Sequence, residues 1–121
     1  MQFVLQRHES THPHFDFRLE RDGRYVSWAV PKGLPVKKGQ RRLAIRVPDH
    51  SLEFGTFEGD IPAGEYGAGS VRIADHGTYD CASWNDDRIV VQLHGLHGDP
   101  TIVLVPFKHG KPNEWLMIRT G

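Results

Sequence analysis

The chain has 121 residues, enough for one domain with a core of its own and no need of staples. Its 15 Lys and Arg balance its 15 Asp and Glu, which excludes a polycation that coats nucleic acid indiscriminately. A single cysteine, Cys81, excludes an internal disulfide or a thiolate metal cluster, and no apolar run is long enough for a membrane-spanning helix.

These bounds make a single cytoplasmic domain over residues 1–121 the expectation, with Cys81 packed as a small apolar side chain. In chain order, Met1 leads straight into a strand-like FVLQ. The stretch QRHESTHPHFDFRLE, Gln6 to Glu20, follows, and its second half alternates strictly. Phe15, Phe17 and Leu19 fall on one parity, and His14, Asp16, Arg18 and Glu20 on the other, as in a half-buried strand. Arg21-Asp22-Gly23 reads as a hairpin into Tyr25–Val30. Pro31 to Gly39 is a loop. Leu43, Ile45 and Val47 alternate with Arg42, Ala44 and Arg46, a strand expected to face inward with its larger residues and to stop at Pro48. The glycine-rich span from Asp49 to Gly69 is a long loop, and such loops in small domains are more often functional than idle. Strands are expected again at Val71–Ile73, Thr78–Cys81, Ile89–Leu93, Thr101–Phe107 and Glu114–Arg119. No long helical periodicity occurs. Seven or eight short strands with Gly and Pro punctuation predict an all-β fold: a small antiparallel barrel with little helix.

Charge is locally uneven. From Lys32 to Arg46 the ionisable residues are Lys32, Lys37, Lys38, Arg41, Arg42 and Arg46, followed by the acids Asp49, Glu53, Glu58, Asp60 and Glu65. Residues i and i+2 on a strand stand about 6.6 Å apart at the backbone, so the leaning side chains of His14 and Asp16 reach one divalent ion. His8, beyond Pro13, folds back as a third ligand, and Arg18 points at an anion held there. The same pattern also suits a plain solvated strand face. His12 is read as solvated, Trp28 and Trp115 as core, and His76, His94, His97 and His109 are given no role.

Several motifs now form a pattern. Gln6-Arg7-His8 with His14-Phe15-Asp16-Phe17-Arg18-Leu19-Glu20 resembles the signature of the 3′-phosphoesterase domain of bacterial DNA ligase D. Trp28-Ala29-Val30-Pro31-Lys32-Gly33, Arg42-Leu43-Ala44 with Asp49-His50, Phe57-Glu58-Gly59, Ile61-Pro62, Gly64 and Tyr66-Gly67-Ala68-Gly69 are similar to further segments of that family, as is Trp115–Arg119. The chain departs from the pattern at Pro48, where an acid is usual, and at Phe54, where a tyrosine is usual.

The resemblance implies a small β-barrel with its site in a surface groove, and a metal-dependent enzyme favouring manganese. Such an enzyme removes a 3′-terminal ribonucleoside from a primer strand and then the 3′-phosphate, leaving a 3′-hydroxyl for a ligase or polymerase of end joining. It implies His8, His14 and Asp16 as Mn2+ ligands. Arg18, Arg42 and His50 become the catalytic groups around the phosphate, and Lys32 and Gln6 contact the substrate or support the ligands. Two other readings stay open on residues alone. One is an iron oxygenase built on two histidines and a carboxylate, and the other is a barrel that binds nucleic-acid ends through Lys32–Arg46 without turnover.

Overall fold

The computed structural model describes residues 1–65 and 68–121. Among them the chain forms nine strands: β1 (Gln2–Glu9), β2 (His14–Arg21), β3 (Arg24–Val30), β4 (Arg41–Ser51), β5 (Gly59–Ile61), β6 (Gly69–Asn85), β7 (Arg88–Gly95), β8 (Thr101–Pro106) and β9 (Glu114–Arg119). A single 3-10 turn, Leu52–Thr56, precedes β5, and no helix is long and apolar enough to cross a membrane. All pairings are antiparallel in the order β1-β2-β3-β4-β9-β8-β7-β6-β5. Pairing of β1 with β6 closes the ring, so the expected antiparallel barrel is what forms.

Local chemistry explains the joints. Asp22 and Gly23 both have positive φ, 52° and 78°, which suits the two-residue turn between β2 and β3. Strand β6 was expected as two pieces but runs unbroken for 17 residues, because it changes partner partway. Its first half pairs with β1 and β5, and its second half with β7. Gly77 is the crossover residue, opposite Phe3 on one edge and Gly95 on the other. A Cβ at Gly77 would lie 1.9 Å from the His94 carbonyl oxygen. Beyond Thr78 β6 has lost β1 as a neighbour, which leaves Cys81 exposed rather than packed as expected.

Inside the ring, Phe3, Leu5, Phe17, Leu19, Trp28 and Met117 are buried, as the parity of β2 predicts for Phe17 and Leu19. Strand β4 is the exception. Its Ala44 is fully buried opposite Trp115, whereas Leu43 is 40% exposed. Trp28 and Trp115, edge to face with centroids 5.7 Å apart, fill the interior there, and a small residue must face them. The inward parity of β4 is therefore that of Arg42, Ala44 and Arg46. The strand also continues past Pro48. Tyr25 pairs with His50 and Ser27 with Val47, so three steps on β4 oppose two on β3. Proline is tolerated in that bulge because a bulged residue leaves the hydrogen-bond ladder.

Gly77→Ala should lower stability by about 1–3 kcal/mol, since the added methyl meets fixed backbone on the neighbouring strand. A lower urea midpoint with an unchanged m-value is the expected readout.

Candidate metal centre and its cavity

The candidate site lies outside the barrel, on the face of β1–β4 opposite the core. Register alone brings its groups together: His8 stands opposite His14, Gln6 opposite Asp16, and Arg18 opposite Ser27. Cross-strand neighbours share a face, so these side chains form one patch. The bulge in β4 adds His50 to it. With unbroken alternation His50 and Val47 would point to opposite faces; the extra residue restores them to the same one.

The loop after β4 covers this patch. Buried Gln6 donates its amide to the carbonyls of Phe54 and Phe57, at 2.9 and 3.1 Å, and Glu58 accepts from the Ile73 amide at 2.8 Å. Under the loop is a cavity of about 570 Å3 whose walls include His8, His14, Asp16, Arg18, His50 and Phe54. The family-like run Tyr66-Gly67-Ala68-Gly69 falls partly at Tyr66 and Gly67, outside the described residues.

One ligand atom each from His8, His14 and Asp16 lie within 4.8 Å of one another. His8 Nδ1 is 3.7 Å and His14 Nε2 3.2 Å from the Asp16 carboxylate. His14 Nδ1 sits 2.8 Å from the His12 carbonyl. A carbonyl oxygen only accepts, so Nδ1 carries the proton and Nε2 is turned to the carboxylate. Two acceptors at that distance require a cation between them, either a proton or a metal ion. Two imidazoles and a carboxylate, with one imidazole oriented by a backbone carbonyl, are a donor set that fits a divalent transition ion.

Arg18 is only 2% exposed. Its Nε donates to Gln6 Oε1 and one Nη to Ser27 Oγ, each at 2.8 Å, while the other Nη is 3.5 Å from Asp16. Its guanidinium also lies 4.7 Å from the Phe54 ring, and that ring stacks on His50 with centroids 4.7 Å apart. The bland alternative of a solvent-facing arginine does not fit this enclosure, which the residues of one strand do not reveal.

Charge follows geometry. Burial pushes the Asp16 carboxyl up, but the His14 hydrogen bond and the Arg18 charge outweigh it and hold the group below its ordinary value. The bond to Asp16 raises His14 above 6.5. Burial, reinforced by the Arg18 charge, lowers His50 below 6.5.

Of the other sequence candidates, Gln6 is fully buried, which suits support of Arg18 and not contact with a substrate. Arg42 stands opposite Met117 on the inward parity of β4 and is not in the cavity wall; its Nε is buried with no hydrogen-bond partner among the described residues. Lys32 is exposed in the loop after β3, at the same barrel end but outside the wall. His12 is exposed as expected, yet it stands at the cavity mouth with Ser10 and Thr11. Val47 is a wall residue that sequence reasoning missed, while Phe54, singled out only as a departure from the family's tyrosine, is in the wall too.

Comparison with known proteins agrees with this geometry. Residues 6–105 match the family described as the DNA Ligase D 3′-phosphoesterase domain. A Mycobacterium bovis protein named multifunctional non-homologous end joining protein LigD is 57% identical over 97 residues, covering 77% of this chain and 13% of that protein. The Mycolicibacterium smegmatis protein of the same name is 43% identical over 128 residues, covering 97% of this chain and 16% of that protein. The Pseudomonas aeruginosa protein of that name is 47% identical over 79 residues, covering 65% of this chain and 9% of its own length. The chain thus spans a small fraction of the curated relatives it matches. With its match running through β1–β8 and every metal-ligand candidate inside it, this chain belongs to the DNA ligase D 3′-phosphoesterase domain family.

Proposed function

We propose that the domain is a manganese-dependent phosphoesterase that heals nucleic-acid 3′ ends in the cytoplasm. It removes a terminal ribonucleoside and then the remaining 3′-phosphate, and it prepares ends for a ligase or polymerase of end joining. The observation that carries this is the convergence of His8, His14 and Asp16 beside the buried Arg18 guanidinium. The chemistry an ion held by those three supplies is Lewis-acid polarisation of a phosphoryl oxygen.

The protein's own groups do the rest. Gln6 and Ser27 hold two of the five N–H donors of Arg18, which fixes the plane of its fork. The remaining donors meet non-bridging phosphate oxygens at the cavity wall and stabilise charge that grows as the ester bond breaks. His50, neutral in the free protein at pH 7, donates a ring N–H to the phosphate or to the leaving oxygen, and its stack on Phe54 sets its tilt. Phe54 brings no hydroxyl, so its share is packing. Covering by the loop excludes water from these contacts and strengthens them.

A labelled primer–template ending in one ribonucleotide should lose that nucleoside with manganese, and chelation should stop the reaction. Asp16→Asn should cut turnover by about 100-fold or more. A mere binder would bind the end and turn over nothing before or after the change. Arg18→Lys, which keeps the charge and loses the fork, should lower kcat roughly 100-fold with the protein still folded by circular dichroism. Wild-type rates in that variant would remove the arginine from the reaction.

The His50 shift also predicts a pH effect on stability. The folded protein holds that proton more loosely than the unfolded chain, whose value is 6.5, so the unfolded chain binds the extra proton below about that pH. Stability from this group is complete above 6.5 and declines as pH drops toward the folded value. His50→Gln cannot titrate and should lose less stability than wild type between about pH 7 and pH 5, read as urea midpoints.

A further inference from the structure

We infer that the loop over residues 31–40 and the first residue of β4 form a platform for the phosphate backbone of the duplex leading to the 3′ end. This rests on the phosphoesterase reading of the cavity and adds where the rest of the substrate lies. The cations involved are Lys37, Lys38 and Arg41, all exposed. Between residues 31 and 41 there is no acid, in a chain whose formal net charge is zero. Among the described residues no carboxylate lies within ion-pair distance of these three.

Their position is set by β4. Arg41, Leu43, Ile45 and Val47 share its outward parity, and Val47 is part of the cavity wall. The six residue steps from Val47 to Arg41 cover about 20 Å of extended strand. Duplex rises 3.4 Å per base pair, so a terminus seated in the cavity brings phosphates roughly six base pairs back onto Arg41 and the lysines. Arg42, one residue on, is on the inward parity and takes no part.

The loop is ordered in advance. Arg119 donates to the Val36 carbonyl at 3.0 Å, Gly39 donates to the Arg119 carbonyl at 2.6 Å, and the Arg119 amide donates to the Gln40 carbonyl at 3.1 Å. Gln40 Oε1 accepts from the Val36 and Lys37 amides at 2.7 and 3.3 Å. Lysines on a held loop lose less freedom on binding than lysines on a loose one. Unpaired cations that are held in place and free of acids complement a polyanion.

The test compares the full chain with K37Q/K38Q/R41Q, on DNA duplexes of about twelve and about four base pairs, in chelator and over a range of salt. For the long duplex, the slope of log affinity against log salt should shrink by about 0.9 for each lost contact, and affinity near 0.1 M salt should fall about tenfold or more. On the short duplex the two proteins should agree. Equal slopes and affinities on the long duplex would overturn the platform and leave an acidic protein surface as the fit for these cations. Turnover of a ribonucleotide-ended primer with manganese, run on the same preparations, keeps the two ideas apart. Turnover with unchanged slopes sinks the platform alone. A changed slope with no turnover keeps the platform and sinks the phosphoesterase reading.

Discussion

A buried carboxylate is the constraint around which this structure is arranged. Asp16 is 8% exposed, and an ion so placed needs opposite charge and hydrogen bonds nearby. The barrel supplies them from three directions: His8 from β1, His14 and Arg18 from β2. Arg18 is in turn buried, and its donors are met by Gln6 and Ser27. Gln6 then reaches across to two carbonyls of the covering loop. The chain of contacts thus runs from a carboxylate to the lid over it, and each link is a polar group that burial would otherwise leave unmet. Such a network holds its members in one geometry, which is what positioning a phosphate requires.

Putting the site outside a small barrel separates two demands. The interior is filled by aromatic and branched residues and answers only to packing. The exterior of β1–β4 is free to carry polar groups because the loop after β4 provides their second layer. One irregularity connects the two. The bulge at Pro48 and Asp49 is the step that turns His50 to the outer face, so a local defect in the ladder adds a residue to the cavity. The usual family acid is absent at Pro48, and Asp49 instead meets Arg46 at 3.0 Å on the exposed side of the same bulge.

The chain is neutral overall and polar in its arrangement. Cations gather on the loop after β3, and a run of acids follows them in the chain. The relatives carry this domain as 9–16% of much longer proteins.

Much of this was legible in the residues. Strict alternation in β2 marked the core face and, by exclusion, the face bearing His14, Asp16 and Arg18, because period 2 leaves a strand only two sides. The Asp-Gly pair marked the first hairpin because both positions need positive φ. Tertiary structure decided what pairing alone can decide. The parity of β4 inverted because the two tryptophan rings left room only for Ala44, a fact of volume that no single strand contains. It took Arg42 out of the cavity wall and put Val47 into it. The enclosure of Arg18, the turn of His50 through the bulge, and the unbroken run of β6 through Gly77 likewise depend on which strand lies beside which, and register between distant segments is set by closure of the whole sheet.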